Sequence, residues 1–193
     1  MQMLFEPQLL PFPVMETPRL LLRRMKVEDA EEVFFLRSNP EVNKYSLRPL
    51  ATEIKQAEEF IQLVESLLIS NEGITWVMAL KDAPERMIGN LGIWRFIKEH
   101  YRGELGYVLH PQYQGKGYMQ EAFNEVIKYG FETLGLHSLE ANVDPSNLPS
   151  IKLLERNNFI REAYFRENYF ANGTFHDTAV YTRLANKFRS DIS

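Results

Sequence analysis

"HPQYQGKGYMQEA", residues 110–122, sets two glycines around a lysine where an apolar run gives way to a helical pattern. A Walker phosphate loop requires glycine at the place of His110 and serine or threonine at the place of Gly117, so it fails at both. The dinucleotide fingerprint is met at Gly115 and Gly117 but requires a third glycine where Gln120 stands. What remains is a strand end, a short loop and a helix start whose first amides have no intrahelical partner and favour an anion. Gly115 and Gly117 remove the Cβ atoms that would hold an anion off those amides, and Lys116 adds a point charge. The local residues leave a second reading open, a solvated turn in which glycine only supplies positive φ.

Working outward, Met119, Ala122, Phe123, Val126, Ile127, Phe131 and Leu134 recur at helical spacing, and Gly135 stands at the C-terminal cap position. Upstream lie three strand-like runs, "ITWVMALK", "RMIGNLGIWRFIK" and "GELGYVLH", separated by the turn-like "DAPE" and by "EHYRG". Before them comes an amphipathic helix carrying Ile54, Ala57, Ile61, Val64, Leu67 and Leu68 on one face, with Thr52 as its expected N-cap. A strand over residues 19–25 and a first helix bearing Val27, Ala30, Val33, Phe34 and Leu36 precede that. Downstream, "HSLEANVD" reads as a strand and residues 147–158 as a helix. Two long strands joined by Asn172-Gly173, the best hairpin signal in the chain, close the pattern. The expected fold is α+β (α/β), with one mixed, mostly antiparallel central sheet and helices on both faces.

The chain has 193 residues, 45% hydrophobic and 25% charged, which fits one compact domain. We expect that domain over residues 17–185, between an N-terminal extension (1–16) and a short tail (186–193). A net charge of -4 without a Lys/Arg cluster argues against nucleic acid as a partner. There is no cysteine, so a disulfide framework, a thiolate zinc site and a thioester on cysteine are excluded. The four histidines, His100, His110, His137 and His176, lack paired ligand spacing, so no metal is expected. No apolar run reaches the roughly 18 residues that span a bilayer, and the proline-broken N-terminus does not read as a signal peptide. The expectation is a cytoplasmic protein without a membrane partner, a monomer or homodimer.

"QYQGKG" (residues 112–117) resembles the Gln/Arg-x-x-Gly-x-Gly/Ala signature of the GCN5-related N-acetyltransferase (GNAT) superfamily. The similarity extends over roughly residues 17–184, and "GELGYVLHPQYQGKGYMQEA" with "NLPSIKLLERNNF" is similar to the RimJ/RimL-like branch that acetylates ribosomal-protein N-termini. The resemblance implies a GNAT fold with a splayed strand pair, acetyl-CoA as co-substrate, and an amine acceptor. It implies that backbone groups of Val108, Leu109 and His110 pair with pantetheine, and that amides of Gln114, Gly115, Lys116, Gly117, Tyr118 and Met119 hold the pyrophosphate. Asn147, twelve residues before Phe159, matches the asparagine that bonds the pantetheine arm, a position that also suits a helix N-cap. Glu104, in "ELGY", matches the candidate base, and the other reading is a strand glutamate in an ion pair. Ser150, nine residues before Phe159, matches the proposed proton donor to the thiolate, unless it only serves the first turn of its helix. Polyamine acetyltransferases of the family place a tyrosine five residues before that phenylalanine, where this chain has Leu154.

Direct transfer needs a neutral amine, a stabilised tetrahedral oxyanion and a protonated leaving thiolate. A protein α-amine, with a pKa of roughly 7.7 to 8.0, is about a tenth neutral at pH 7, whereas lysine at about 10.4 needs some 4 to 5 kcal/mol of deprotonation. A modest or water-mediated base is enough for the first, and a small amine of low pKa behaves alike. Trp94, Tyr107 and Tyr164 are candidates for the cavity wall or the core, and the loop "SNPEVNKYSLRPL" corresponds to the acceptor-side rim. A catalytically silent acyl-CoA-binding or sensing module is the alternative reading.

Overall fold

In the computed structural model, residues 5–185 are described, so the expected tail at 186–193 and the first four residues of the extension lie outside the described residues. The chain runs through β1 (Met15–Glu16), β2 (Leu20–Arg24), α1 (Ala30–Ser38), α2 (Lys55–Ile69), β3 (Gly73–Leu80), β4 (Ala83–Ile97) and β5 (Arg102–Leu109). It continues through α3 (Tyr118–Lys128), β6 (Ser138–Val143), α4 (Leu148–Arg156), β7 (Ile160–Ala171) and β8 (Thr174–Leu184). The strands form one sheet in the order β1-β2-β3-β4-β5-β6-β8-β7, and the pair β5/β6 is parallel while the others are antiparallel. The expected α+β class is what the chain adopts.

Strand alternation sorts the core onto two faces. Ile74, Trp76 and Met78 of β3 point with Leu91, Ile93, Leu105 and Leu109 toward Phe123, Val126 and Ile127 of α3. Val77 and Met87 point the other way, toward Val33 and Leu36 of α1 and Ala57, Ile61 and Val64 of α2. β3 is buried along nearly its whole length because it is covered on both sides, which explains its near-continuous apolar run. Phe5 and Leu9, from the segment before β1, are buried in the α3-side core, and Trp76 Nε1 donates to the Pro13 carbonyl at 2.7 Å.

Local chemistry shifts several expected boundaries. Val27 falls in a short 3₁₀ turn ahead of α1 and is exposed, outside the apolar face. Thr52 does not cap α2; Gln56 instead reaches back, its Oε1 accepting from the Thr52 and Glu53 amides at 2.7 and 3.2 Å, and the helix begins at Lys55. Ile54 is correspondingly exposed. The "DAPE" turn contracts to Lys81-Asp82, because Ala83 already pairs with Leu80. Asn172 and Gly173 both have positive φ, 51° and 80°, the pairing of a type I′ hairpin turn. Among the described residues no helix is long and apolar enough to cross a membrane.

Candidate active site

The opening stretch folds as a strand end, a tight turn and a helix start. The His110 amide donates to the Ile88 carbonyl at 2.8 Å, and its ring stacks on Phe35 with centroids 4.4 Å apart. Its Nδ1 accepts from the Gln112 amide, starting a 3₁₀ turn over Pro111–Tyr113. Gly115 and Gly117 then take φ of 72° and 83°, left-handed values that a Cβ disfavours. A Cβ at Gly115 would meet no atom within 4 Å, so this face of the loop is open to a ligand. α3 starts at Tyr118 with Gly117 as its N-cap and no side-chain cap, leaving the first-turn amides to the loop. Glu121, in that first turn, accepts from the Arg19 amide at 2.8 Å and pairs with its guanidinium at 2.7 Å, while Arg19 Nη1 donates to the Lys116 carbonyl at 3.0 Å. Arg19 also lies over the Tyr118 ring, so one side chain just before β2 ties the glycine loop to the first turn of α3. Lys116 sits with its Nζ 5.7 Å from the centre of the Tyr113 ring.

Parallel pairing between β5 and β6 covers Arg102 with Ser138, Gly103 with Leu139 and Glu104 with Glu140, and stops there. Beyond Glu104 the two strands part, and β6 continues against β8 alone. This opens the expected splay, but it changes which backbone groups face it. His110 is bonded to β4 through Ile88, and in an antiparallel ladder the bonded positions alternate. Val108 and His110 therefore turn their backbone groups to β4, and Tyr107 and Leu109 turn theirs to the gap. The His110 carbonyl is also taken, by the Tyr113 amide at 2.9 Å. Of the three residues expected to offer backbone to pantetheine, Leu109 is the one so placed; Tyr107 joins it, and Val108 contributes its side chain to the neighbouring cleft instead. The Leu109 carbonyl accepts from Gln114 Nε2 at 3.1 Å, a contact a side chain can release.

At the far side of the gap the Tyr107 hydroxyl and Ser150 Oγ are 2.6 Å apart. The Tyr107 ring packs edge-on against Phe123, and burial pushes its pKa up to about 12, with the Ser150 hydrogen bond acting in the opposite direction. The phenol is therefore a neutral proton carrier at physiological pH. Asn147 Oδ1 accepts from the Ser150 amide at 3.2 Å, so Asn147 is the N-cap of α4 as well as part of the cleft wall. Sequence reasoning singled out Ser150 and Tyr107 separately; their contact spans 43 positions and needed the fold to appear.

On the opposite sheet face lies a cleft of about 420 Å³, walled by Trp94, Tyr107, Val108, Asn147, Phe60 and Arg48 among others. The loop after α1 supplies Val42, Asn43, Tyr45 and Ser46 to it, which sequence spacing could not assign. Trp94 lies across Gly106, where a Cβ would stand 1.8 Å from the indole, so the glycine of "ELGY" makes room for the ring. Glu104 is opposite Trp94 on the same face but outside the cleft wall. Its Oε2 pairs with Arg95 Nη1 at 3.1 Å; the glutamate side chain is 18% exposed and the arginine 75%. The other carboxylate oxygen has no partner among the described residues. Tyr164 is not at this site: it is exposed on β7 and bonded to Asp177.

The residues present fit acetyl-CoA: an open, cap-free helix start suits the pyrophosphate, strand groups of Tyr107 and Leu109 turned away from β4 suit the pantetheine arm, and a hydroxyl pair lies beside them. A family model of the acetyltransferase (GNAT) domain matches residues 19–160. The uncharacterized N-acetyltransferase YoaA of Bacillus subtilis (strain 168) is 36% identical over 171 residues, 89% of this chain and 96% of that protein. The spermidine N(1)-acetyltransferase of Vibrio cholerae serotype O1 (strain ATCC 39315 / El Tor Inaba N16961) is 25% identical over 170 residues, 88% of this chain and 95% of that protein. In fold, the chain is similar to ribosomal-protein-S5-alanine acetyltransferase from Vibrio fischeri, with a TM-score of 0.80, 22% identity, and coverage of 92% and 99%. The chain thus belongs to the GNAT family and is an N-acetyltransferase that uses acetyl-CoA.

Proposed function

We propose that this enzyme acetylates a primary amine directly, the acceptor being a protein or peptide N-terminal α-amine or a small amine of similarly low pKa. The observation that carries the reading is the Tyr107–Ser150 hydroxyl pair, which joins the strand gap to the cleft. Amides of Gln114 through Met119 hold the pyrophosphate, Tyr107 and Leu109 hold the arm by their backbones, and Asn147 flanks it. The amine enters from the cleft under Trp94. As its nitrogen bonds to the thioester carbonyl carbon, Glu104 takes the departing amine proton through water, because its carboxylate stands outside the cleft wall. When the carbon–sulfur bond breaks, Ser150 gives its proton to the sulfur and takes one from Tyr107, and the phenol is reprotonated from solvent, to which Glu104 releases the amine proton.

This division of roles favours an α-amine over a lysine side chain, since a carboxylate acting through water is a modest base. Leu154, in place of the tyrosine of the polyamine enzymes, leaves Ser150 as the acid. A thiol-release assay with acetyl-CoA and a panel of short peptides, lysine derivatives, polyamines and aminoglycosides tests the reading. Release with α-amines at neutral pH is the expected result. Release only with lysine side chains, or acetyl-CoA binding without release under every acceptor, overturns it.

A further inference from the structure

The arginines of the described core fall into two kinds. Arg23 is saturated: it makes two bonds to the buried Asp29 carboxylate at 2.8 and 2.7 Å and donates to the Pro84 and Glu85 carbonyls. Arg37 and Arg48 are half-buried side by side with no carboxylate in ion-pairing range among the described residues. Arg48 donates through Nε and Nη2 to Asn43 Oδ1 at 3.2 and 2.8 Å, which fixes one edge of its guanidinium and leaves Nη1 without a protein partner. Asn43 is itself locked, giving its amide hydrogens to the Leu36 and Asn39 carbonyls at 2.8 Å each. Arg37 Nε is buried with no hydrogen-bond partner at all, and its guanidinium lies 4.3 Å from the centre of the Phe60 ring.

A like charge beside a half-buried guanidinium that has no counter-charge weakens its hold on a proton. Burial, then the neighbouring Arg37, lowers the Arg48 pKa to about 10, and burial lowers that of Arg37. An uncompensated buried cation is costly, and the arrangement becomes favourable when an anion completes it. Arg48 forms part of the cleft wall, and a pocket of about 20 Å³ between Arg37, Arg48, Phe60 and Asn90 continues from it. Among the described residues no aspartate or glutamate lines the cleft, and Arg48 is the one charged side chain in its wall.

We propose that Arg48, backed by Arg37, binds an anionic group of the acceptor, so that the amine acetylated by this enzyme also carries a carboxylate or phosphate. The proposal rests on the cleft being the acceptor site. A guanidinium held by one edge and open at the other suits the planar or trigonal array of such oxygens better than a lysine would. The same feature sets this acceptor apart from a polyamine, whatever the relatives accept.

Thiol release is measured with Ala-Glu-Ala, Ala-Gln-Ala and Ala-Lys-Ala amides, glutamate, O-phosphoserine and spermidine, on the wild type, Arg48→Gln and Arg48→Lys. The expected result is a lead of the anionic acceptors in kcat/KM. Arg48→Gln then raises their KM by about 10- to 100-fold with kcat and acetyl-CoA affinity kept, as for loss of a charged hydrogen bond, and Arg48→Lys falls between. Glutamate against the acidic tripeptide separates a free amino acid from a peptide side chain, and O-phosphoserine separates phosphate from carboxylate. Equal kcat/KM across the charge series, a lead for spermidine, or a uniform loss for all acceptors with a lowered Tm in Arg48→Gln overturns the proposal. If no amine is turned over, the proposed function fails by itself. Calorimetric titration of N-acetylglutamate into the CoA-loaded protein then decides this inference: binding weakened by Arg48→Gln supports it, and no binding refutes it.

Discussion

The two halves of the site are made of different material. The proposed coenzyme half is backbone: two glycines in left-handed conformation, an uncapped helix start and a strand released from its neighbour past Glu104. The proposed acceptor half is side chain: Trp94 laid over Gly106, Arg48 held by Asn43, and a loop that reaches the cleft from between α1 and α2. A backbone site tolerates changes of side chain as long as φ and ψ are kept, whereas a side-chain site changes its ligand with one substitution. The difference accounts for a fixed coenzyme beside a variable acceptor on one scaffold.

Substitutions break this contrast or sharpen it. The largest effect is expected for Glu104→Gln, which should lower kcat by roughly 10²- to 10⁴-fold with acetyl-CoA affinity little changed, as loss of a general base does. Unchanged turnover at neutral pH would leave Glu104 as the partner of Arg95 and no more. Next comes Tyr107, which belongs to both halves. Its folded pKa of about 12 lies above the unfolded value of 10, so its contribution to stability is whole below pH 10 and is lost as pH rises toward 12. Two units correspond to about 2 to 3 kcal/mol, and chemical denaturation of Tyr107→Phe across pH 9 to 12 should show a shallower decline than the wild type. Tyr129 and Tyr181 are raised as well, so part of the decline should persist.

Gly115→Val should follow, since a side chain at φ of 72° costs about 1 to 2 kcal/mol and projects into the open cradle. The smallest effect is expected at Arg95→Ala. Its exposed pair with Glu104 is worth about 0 to 1 kcal/mol, so Tm should hardly move. A large loss of kcat in that variant would show that Arg95 orients the carboxylate.

The same contrast governs what could be read before the fold was known. The loop at Gly115 and Gly117 and the hairpin at Asn172-Gly173 were legible because positive φ restricts the residue choice. The helical pattern from Met119 to Leu134 followed from periodicity, and its buried face is the expected one at Ala122, Phe123, Val126 and Ile127, but the α-helix ends at Lys128 and Tyr129–Thr133 continue it as a π-helical turn. Of the three residues expected at the gap, Leu109 turns its backbone to it, while Val108 and His110 turn theirs to β4. Sequence shows where a strand ends but not which of its alternating groups meet β4, and the Ile88 contact to His110 settles that. Arg48 and Asn43 carried no signal, since an asparagine that organises an arginine five positions away looks like any polar loop. The Arg19 clamp joins residues about a hundred positions apart and was equally silent.

On this reading the glycine loop holds the coenzyme independently of the acceptor half. Calorimetric titration of acetyl-CoA into Gly115→Val, beside the wild type and Glu104→Gln, tests it most directly. The expected result is an affinity loss of about 10-fold or more confined to Gly115→Val, because valine lets the free loop relax out of the left-handed conformation that binding requires and projects into the open cradle. Equal affinity in all three proteins, or a loss of the same size in Glu104→Gln, would contradict it.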